Sequence, residues 1–502
     1  MDRRQFLQGF GAATVATVSL STVGAALANL PAAALSVRQD PMRDRGSHAI
    51  SRLTFGITPA LHSHLRQIGA EAFIAAQLAP DRINDDGMTA HLEPYAHILE
   101  ADLAQLVEQF AERPQQAAVA LIGNWVLRAL YSERQLLEKV TQFFSNHFYV
   151  YLYKGPFTAP LLIRDERDYL RPYAFSNFRT MLGYSGISPS MLLYLDNAQN
   201  NRRAPNENYA RELLELHTLG VHGGYTETDV KEVARAFTGW SVRFPREGEG
   251  TAFEHLFRRA FHDRDAKTIL GTLIQPDGQN EGERVYDLLA AHPSTARFIS
   301  TKLVRRFVAD APPDALVTRL SEVYQSNAGA ILPLLTTLFA ADEFWNAAPK
   351  LKTPFEYTMS VLRALGFEII NTTRFMRGLG DALEAMGNTP FMWPAPNGFP
   401  DVAGLWSGSL ITRWNIALAA VTDQVPGARL NGEGLIDLWT SNGVPLEADP
   451  VIDFMAGYLL GRPLTADERP VMLAFARTGT TPQEQIAFGI ALLLASPAFQ
   501  YR

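Results

Sequence analysis

One stretch of the sequence carries two glutamates, an arginine and an asparagine at helical spacing. Asn206 is a favoured N-cap residue and Gly220 a favoured helix stop, so the pattern predicts one helix of about four turns between them. His217 falls almost opposite the polar side chains and is expected to be a buried structural residue. Because a helix turns by about 100° per residue, one polar stripe is formed by Asn208, Arg211, Glu212 and Glu215.

This stripe has two chemical interpretations and one purely structural one. In the first, Arg211 keeps one carboxylate ionised and an apolar wall raises the pKa of the other, so that Glu212 and Glu215 act as acid and base in hydrolysis. In the second, carboxylate and amide oxygens bind a divalent cation. In the third, Arg211 only pairs with Glu215 across one helical turn. The further residues expected to line the cleft or hold the cation are Asp196, Asn200, Asn206 and Asn208.

Two histidines are further candidates for acid–base chemistry or metal binding. His147 ends an amphipathic segment rich in phenylalanine, and His262 is followed by Asp263, which could orient an imidazole base or a metal ligand. Lys267, close behind, could bind an anion. The alternative for both histidines is a core side chain whose ring nitrogen bonds a backbone carbonyl.

A loop rich in proline and aromatic residues spans positions 393–401, with the sequence WPAPNGFPD, and Trp406 follows it. Its prolines and the Asn-Gly pair predict a rigid turn. Exposed aromatic rings beside such a loop could stack on sugar rings or other flat ligands. The alternative is an ordinary packed loop.

The composition excludes several classes of function. The 502 residues contain no cysteine, which removes thiolate nucleophiles, disulfides and cysteine-ligated metals. A formal net charge of −7 argues against nucleic acid as a partner. The motifs of standard serine hydrolases, zinc metalloproteases and nucleotide-binding enzymes do not occur after the N-terminal segment.

The N-terminal segment has the pattern of an export signal. Arg3 and Arg4 are followed by Phe-Leu, an apolar stretch and the sequence Ala26-Leu27-Ala28, which is typical of a twin-arginine leader cleaved after Ala28. The alternative, a membrane anchor, is less favoured because the apolar stretch is short. Cleavage would change the net charge from −7 to −8. The mature protein is therefore expected in the periplasm or outside the cell, without stable membrane insertion.

Apolar residues recur at three- and four-residue spacing along most of the chain, which predicts a mainly α-helical protein. The segments concerned are 117–131, 136–150, 206–219, 229–240, 331–341, 355–365 and 485–494. Strand patterns cluster near residues 240–275 and predict a small antiparallel β insert. The predicted organisation is a leader over 1–28, a helical main domain over 29–431 and a helical C-terminal part over 432–502 that packs on it.

The same segments carry a resemblance to the domain-of-unknown-function 1800 family, from about His48 to the C-terminal end. Its specific element is the run NENYARELLELHTLG over residues 206–220. The resemblance implies a bacterial, largely helical and often exported protein, often encoded beside domain-of-unknown-function 1501 proteins that resemble sulfatases. It implies no reaction and no catalytic residues. Relatives often carry Trp-His at the position of Phe144-Ser145 and glycine at Asp265, so a two-histidine site at this point would be incomplete here.

These observations lead to one leading functional hypothesis and two rivals. The leading one is a hydrolase acting on an envelope or extracellular polymer through the carboxylate pair. One rival is a non-enzymatic binding or assembly partner of the sulfatase-like neighbour. The other is a metal or redox protein that takes up a cofactor, such as a divalent cation with oxygen and nitrogen ligands, before export.

Overall fold

The structure is a computed structural model that describes residues 20–29, 43–110, 113–245 and 251–502. The longer helices follow the chain as α1 (Leu20–Ala28), α2 (Arg45–Leu53), α3 (Pro59–Ile68), α4 (Ala70–Gln77), α5 (Leu103–Phe110), α6 (Pro114–Tyr131), α7 (Gln135–His147), α8 (Thr158–Asp165), α9 (Phe178–Ile187), α10 (Glu207–Glu212), α11 (Glu227–Ala236), α12 (Asn280–Ala291), α13 (Pro293–Phe307), α14 (Asp314–Ser326), α15 (Ile331–Ala340), α16 (Pro354–Ala364), α17 (Thr372–Ala385), α18 (Leu410–Val421), α19 (Gly432–Ser441), α20 (Ala448–Leu460), α21 (Glu468–Ala476) and α22 (Pro482–Ala495).

Shorter elements connect these helices. The short α-helices are Gly87–Leu92, Ala96–Leu99, Arg171–Tyr173, Pro189–Tyr194, Asp342–Trp345, Ala403–Trp406 and Pro497–Gln500. The 3-10 turns are Pro80–Arg82, Glu93–Tyr95, Asn197–Gln199 and Ser407–Ser409. Two π-helical segments, Glu166–Leu170 and Leu213–Thr218, continue α8 and α10. The mainly α-helical class is thereby confirmed.

The predicted β insert is also confirmed. Strand β1 (Trp240–Val242) pairs antiparallel with β2 (His255–Phe257), and β3 (Lys267–Ile269) pairs with β4 (Thr272–Ile274). A third pair, β5 (Glu368–Ile369) with β6 (Ala428–Arg429), was not predicted. Its strands are two residues long, which is too short to leave an alternating pattern.

Most buried apolar side chains form one large core that the C-terminal helices share, and a small second cluster includes Leu161, Leu192 and Val242. All residues of α16 are buried, and this helix contacts α6 and α18. Tyr357 joins it to α18 and α22, because its hydroxyl donates to the carbonyl oxygens of Arg413 (2.9 Å) and Leu494 (3.2 Å). The residues after 432 therefore pack into the core of the preceding helices. A domain boundary at this position stays a prediction.

The predicted helices are present with shifted ends. The segment predicted over 229–240 ends at Ala236 as α11, because Trp240 leaves the helix to pair with Phe257 in the β1–β2 hairpin. The largest difference concerns residues 206–220. The predicted helix is present from Glu207 to Thr218 with Asn206 as its N-cap, but its second half, Leu213–Thr218, is π-helical, which was not predicted.

Only the end of the N-terminal segment is described. The arginine pair lies outside the described residues, whereas Leu20–Ala28 forms α1 and contacts α18, α21 and α22. Val23 and Leu27 of α1 are buried. Among the described helices, none has the length and apolarity needed to cross a membrane.

Candidate functional site

Helix α10 begins as the sequence predicts, but its arginine has other partners than expected. The Asn206 side chain caps the helix by accepting from the Asn208 backbone N–H at 3.0 Å. The Arg211 guanidinium donates to Glu227 at 2.7 and 2.8 Å and to Glu207 at 3.2 Å. Both contacts lie at the protein surface. The predicted pair of Arg211 with Glu215 is therefore wrong, although the charge of Arg211 does oppose the rise that burial causes in the pKa of Glu212.

Because its ion pairs are exposed, Arg211 is expected to contribute little to stability. Exposed pairs gain little Coulomb energy in water and lose side-chain entropy. We expect Arg211→Ala to change Tm by less than about 2 °C, as measured by differential scanning calorimetry at neutral pH. A fall in Tm of about ten degrees would contradict this expectation, because it would show that Arg211 contributes strongly to stability.

The two glutamates of the stripe do influence each other. Burial, followed by the neighbouring Glu215, raises the pKa of Glu212. The Tyr225 hydroxyl donates to Glu215 at 3.4 Å. Burial, followed by the charge of Glu212, raises the pKa of Tyr194 to about 12. Glu212 thus has the property of a proton donor, one carboxyl that stays protonated at higher pH than usual.

The asparagines predicted to hold a ligand are occupied by backbone contacts instead. The Asn200 amide donates to the Ala234 carbonyl (2.9 Å) and accepts from the Asn206 N–H (2.9 Å). The amides of Asn206 and Asn208 donate to the carbonyls of Asp196 (3.4 Å) and Leu195 (3.2 Å). Together they fasten the loop before α10 to the helix.

The fourth residue of that predicted set, Asp196, carries an accessible charge. Its carboxylate accepts from Lys154 at 3.3 Å, and its side chain is 44% exposed. Its backbone is left-handed, with a φ of 60°. Within the described part of the chain, no three acidic or histidine side chains lie close enough to hold one metal ion.

The π-helical segment after α10 supports His147. At the end of this segment, the Leu219 N–H donates to the Leu214 carbonyl, five residues earlier. The carbonyl of His217 points towards α7. His147 Nε2 lies 3.0 Å from that oxygen, so it donates and Nδ1 is left as an acceptor. Burial, followed by the charge of Lys302, lowers the pKa of both histidines, that of His217 to about 3. Single π-helical turns of this kind are frequent at functional sites.

The acceptor nitrogen of His147 binds a lysine that the sequence analysis missed. Lys302 Nζ on α13 donates to His147 Nδ1 at 2.9 Å. Among the described residues no carboxylate forms an ion pair with Lys302. Burial, followed by the charge of Arg305, lowers the pKa of Lys302 to about 8. With such a pKa, the lysine is unprotonated in a fraction of the molecules at physiological pH and can then accept a proton.

A signal for this lysine was present in the sequence. Lys302, Arg305 and Arg306 lie three and four positions apart, and α13 contains no acidic residue. Three cations on one face of a helix without internal partners must find partners, or a ligand, elsewhere in the protein.

Lys302 lines a cavity of about 230 Å³, here named the aromatic cavity. Its apolar wall consists of the rings of Trp125, Phe143, Tyr149, Phe355, Phe391 and Phe399. Its amides come from Gln142, Asn146, Asn388 and Asn397. Its charged groups are Lys302, Arg305, Arg306, Glu356 and Asp401. The cavity therefore offers a basic group, anion-binding groups and flat apolar surfaces together, as ligand sites commonly do.

The loop over 393–401 forms one side of the aromatic cavity. The side chain of Asn146 holds it by accepting from Phe399 N–H (2.7 Å) and donating to the Phe399 carbonyl (2.9 Å). Gly398 has a φ of 68°, and a Cβ there would lie 2.4 Å from the Asn146 carbonyl oxygen. Trp393 and Trp406 flank Phe399, with ring centroids 5.5 and 6.1 Å away. The loop is thus held by these hydrogen bonds and packs its rings on each other, and its rigidity stays a prediction.

His262 and Asp263 lie in a separate, buried cluster of charges. His262 Nδ1 lies 2.8 Å from the Thr238 carbonyl and Nε2 lies 2.9 Å from Glu281. Asp263 turns away and accepts from Arg235 at 2.9 and 3.1 Å. The expectation that Asp263 orients His262 is therefore wrong. The carboxylate that does so comes from α12, outside the local sequence.

Glu281 also binds the third residue expected in this region. Lys267 Nζ donates to Glu281 and to the Asp263 carbonyl. Burial alone would raise the pKa of Glu281, but the bonds from Lys267 and His262 outweigh it and lower that pKa. Lys267 and Glu281 are fully buried. None of the three cavities described for this protein includes these residues.

The fold and this site define a mainly α-helical protein with a cavity that combines a lysine, arginines and aromatic rings. The sequence model of a family described as "Protein of unknown function (DUF1800)" matches residues 48–501. The chain belongs to that family. Searches among curated proteins and among solved structures found no match.

Proposed function

We propose that the protein is a hydrolase whose active site is the aromatic cavity and whose general base is Lys302. The observation that carries this proposal is the position of Lys302 in the cavity wall, with its Nζ 2.9 Å from His147 and a pKa lowered to about 8. About a tenth of such a lysine is neutral at pH 7. The neutral amine can take a proton from a water molecule that attacks the substrate, and the ammonium that forms can give this proton to the leaving group when the substrate bond breaks.

Other groups in the cavity suit the remaining steps of hydrolysis. The guanidinium of Arg305 can stabilise negative charge that develops on a substrate oxygen. His147 accepts from Lys302 and is itself fixed by the His217 carbonyl, so it holds the amine in position. The aromatic rings favour a sugar or another flat unit. A cavity of about 230 Å³ suits one terminal unit of an envelope or extracellular polymer.

The test is a panel of peptidoglycan, polysaccharides and esters, assayed with wild type, Lys302→Met and Lys302→Arg. We expect turnover on one class, a rate that rises through an apparent pKa of about 8, and loss of activity in both variants. Lys231→Met, on the exposed face of α11, is the matched control and keeps full activity. Turnover that survives in Lys302→Met would refute Lys302 as the base.

Glu212 supports a second candidate site for the same class of reaction. Its raised pKa and its neighbour Glu215 fit a carboxylic acid and a carboxylate acting as a pair. Neither residue lines any of the three described cavities. Loss of turnover in Glu212→Gln and in Glu215→Gln, with Lys302→Met active, would favour this second site over the aromatic cavity.

We also propose that the protein is exported through the twin-arginine pathway and meets its substrate in the periplasm or outside the cell. The support is the leader sequence, with Arg3 and Arg4 before an apolar stretch. Replacing both arginines with lysine should retain the protein in the cytoplasmic fraction. Purifying the wild-type protein from the exported fraction and looking for a co-purifying sulfatase-like protein tests the proposed partner from the domain-of-unknown-function 1501 family.

A further inference from the structure

A second cavity lies behind the aromatic cavity, and Glu356 belongs to the walls of both. This basic cavity has a volume of about 40 Å³, which is room for about three water molecules. It is enclosed by α2, α7, α16, α20 and the segment 499–502. Its size suits a small ion rather than an organic substrate.

The walls of the basic cavity carry more positive than negative charge. Lys139, Lys352 and Arg502 are buried in its wall, and Arg43 also lines it. Among the described residues, Glu356 is the only acid in this wall. The nearby hydroxyls already donate to neighbouring groups, as Ser51 does to the His48 carbonyl. The cations are therefore the groups that face the enclosed space.

Glu356 cannot neutralise these cations alone. Its carboxylate lies 2.9 Å from Lys139, 3.0 Å from Arg306 and 3.2 Å from Arg502. One negative charge is thus shared by three cations.

Further buried cations in this region have neutral partners only. Lys352 Nζ donates to the Ser360 hydroxyl at 3.2 Å and lies 3.6 Å above the Phe499 ring. The Arg52 guanidinium donates to the carbonyls of Val308 and Ala348. Among the described residues, no side-chain carboxylate pairs with either.

Basic side chains outnumber side-chain carboxylates in this region. Two more carboxylates lie nearby, and both Asp310 and Asp401 pair with Lys350. Six basic side chains therefore lie in a region with three side-chain carboxylates. The basic side chains are Arg52, Lys139, Arg306, Lys350, Lys352 and Arg502. Buried charges without compensation are costly, and burial accordingly lowers the pKa of Lys139 and of Lys352. A bound anion would favour the charged form of these lysines.

One donor is also unused. Arg502 is 1% exposed and lines the basic cavity, yet its Nη1 has no hydrogen-bond partner in the described structure. A buried guanidinium donor without an acceptor costs free energy. Guanidinium and ammonium groups together are the usual ligands of phosphate and sulfate oxygens.

We propose that the basic cavity binds one tetrahedral oxyanion, phosphate or sulfate, through Lys352 and Arg502. The ion supplies the negative charge that Glu356 cannot, and its oxygens accept from the buried donors. Because Glu356 separates the two cavities, the ion also stabilises the wall of the aromatic cavity. This site is independent of hydrolysis at Lys302, so it can stand if the proposed function fails.

The test compares Tm in phosphate or sulfate with Tm in sodium chloride of equal ionic strength, for wild type, Lys352→Met and the exposed control Lys231→Met. We expect a saturable rise of several degrees in wild type and the control, and none in Lys352→Met. Without oxyanion, Lys352→Met should be at least as stable as wild type, because it removes an uncompensated charge.

Equilibrium dialysis of wild type against radiolabelled phosphate, with sulfate as competitor, measures the site directly and does not depend on a variant. We expect about one phosphate per chain, displaced by sulfate. Binding of no phosphate, or an equal rise of Tm in Lys352→Met, would overturn the proposal. A rise of Tm that chloride reproduces at equal ionic strength would overturn it as well.

Discussion

Replacing Glu356 with glutamine is expected to lower the free energy of unfolding by about 3–5 kcal/mol, the cost of breaking a buried ion pair from one side. The carboxylate is 3% exposed and lies within 3.2 Å of three cations. Burial alone would raise the pKa of Glu356, but Arg306, Arg502 and Lys139 hold it well below its usual range. The variant leaves these cations buried without a counter-charge.

The measurement is the midpoint of urea unfolding, monitored by circular dichroism at neutral pH. Glu368→Gln is the matched control, since Glu368 also pairs with an arginine, Arg429 at 2.9 Å, but is 51% exposed. We expect the control to unfold at the wild-type urea concentration. An equally stable Glu356→Gln variant would show that the buried cations do not depend on this carboxylate.

Replacing Lys302 with methionine is expected to increase stability at neutral pH while it removes activity. Folding lowers the pKa of this lysine from an ordinary value of about 10.4 to about 8. Below pH 8 the folded protein bears the cost of a partly buried ammonium, at most on the order of 3 kcal/mol. The variant also loses the hydrogen bond to His147, which contributes about 1 kcal/mol. The free energy of unfolding should therefore rise by about 2 kcal/mol.

The pH dependence distinguishes this effect from ordinary repacking. Between about pH 8 and about pH 10 the unfolded state binds the proton more tightly, so wild-type stability rises relative to the variant. The difference in Tm between Lys302→Met and wild type should therefore shrink across that interval. A variant that is less stable at pH 7, or a difference that stays constant with pH, would contradict the lowered pKa.

Local sequence signals predicted much of the fold. The N-cap at Asn206, the helical periodicity of α6 and α15, and the alternation in β1 to β4 all involve neighbours within a few residues. Such interactions can be predicted because the residues that make them are close together in the sequence. The π-helical segment Leu213–Thr218 escaped prediction because the carbonyl of His217 meets His147, a partner 70 residues away.

The charged groups that matter most were not predictable in this way. Thr353 and Glu356 form a capping box at the start of α16. This local role is enough to explain a glutamate at position 356, so the sequence does not indicate its three cationic partners. His262 is oriented by Glu281 rather than by the adjacent Asp263, because tertiary packing decides which carboxylate arrives. Partners that come from distant helices have no characteristic spacing in the sequence and cannot be predicted from it.

The run of residues 206–220 acquires a different meaning from the structure. The sequence suggests that its glutamates face a cleft, whereas Arg211 lies at the surface and the asparagines bind backbone. Its contribution to the aromatic cavity is indirect: the His217 carbonyl fixes His147, and His147 receives the ammonium of Lys302. This segment thus contributes to the cavity through His147 rather than by lining it.

The most direct test of the account is an NMR titration of the lysine side chains labelled with carbon-13 at Cε. The signal of Lys302, assigned by its loss in Lys302→Arg, should titrate with a midpoint of about pH 8. It should remain perturbed when the ionic strength is raised, because the cause is burial rather than surface charge. A midpoint above pH 10, that of an ordinary lysine, would contradict the central claim that Lys302 is the base of an active site.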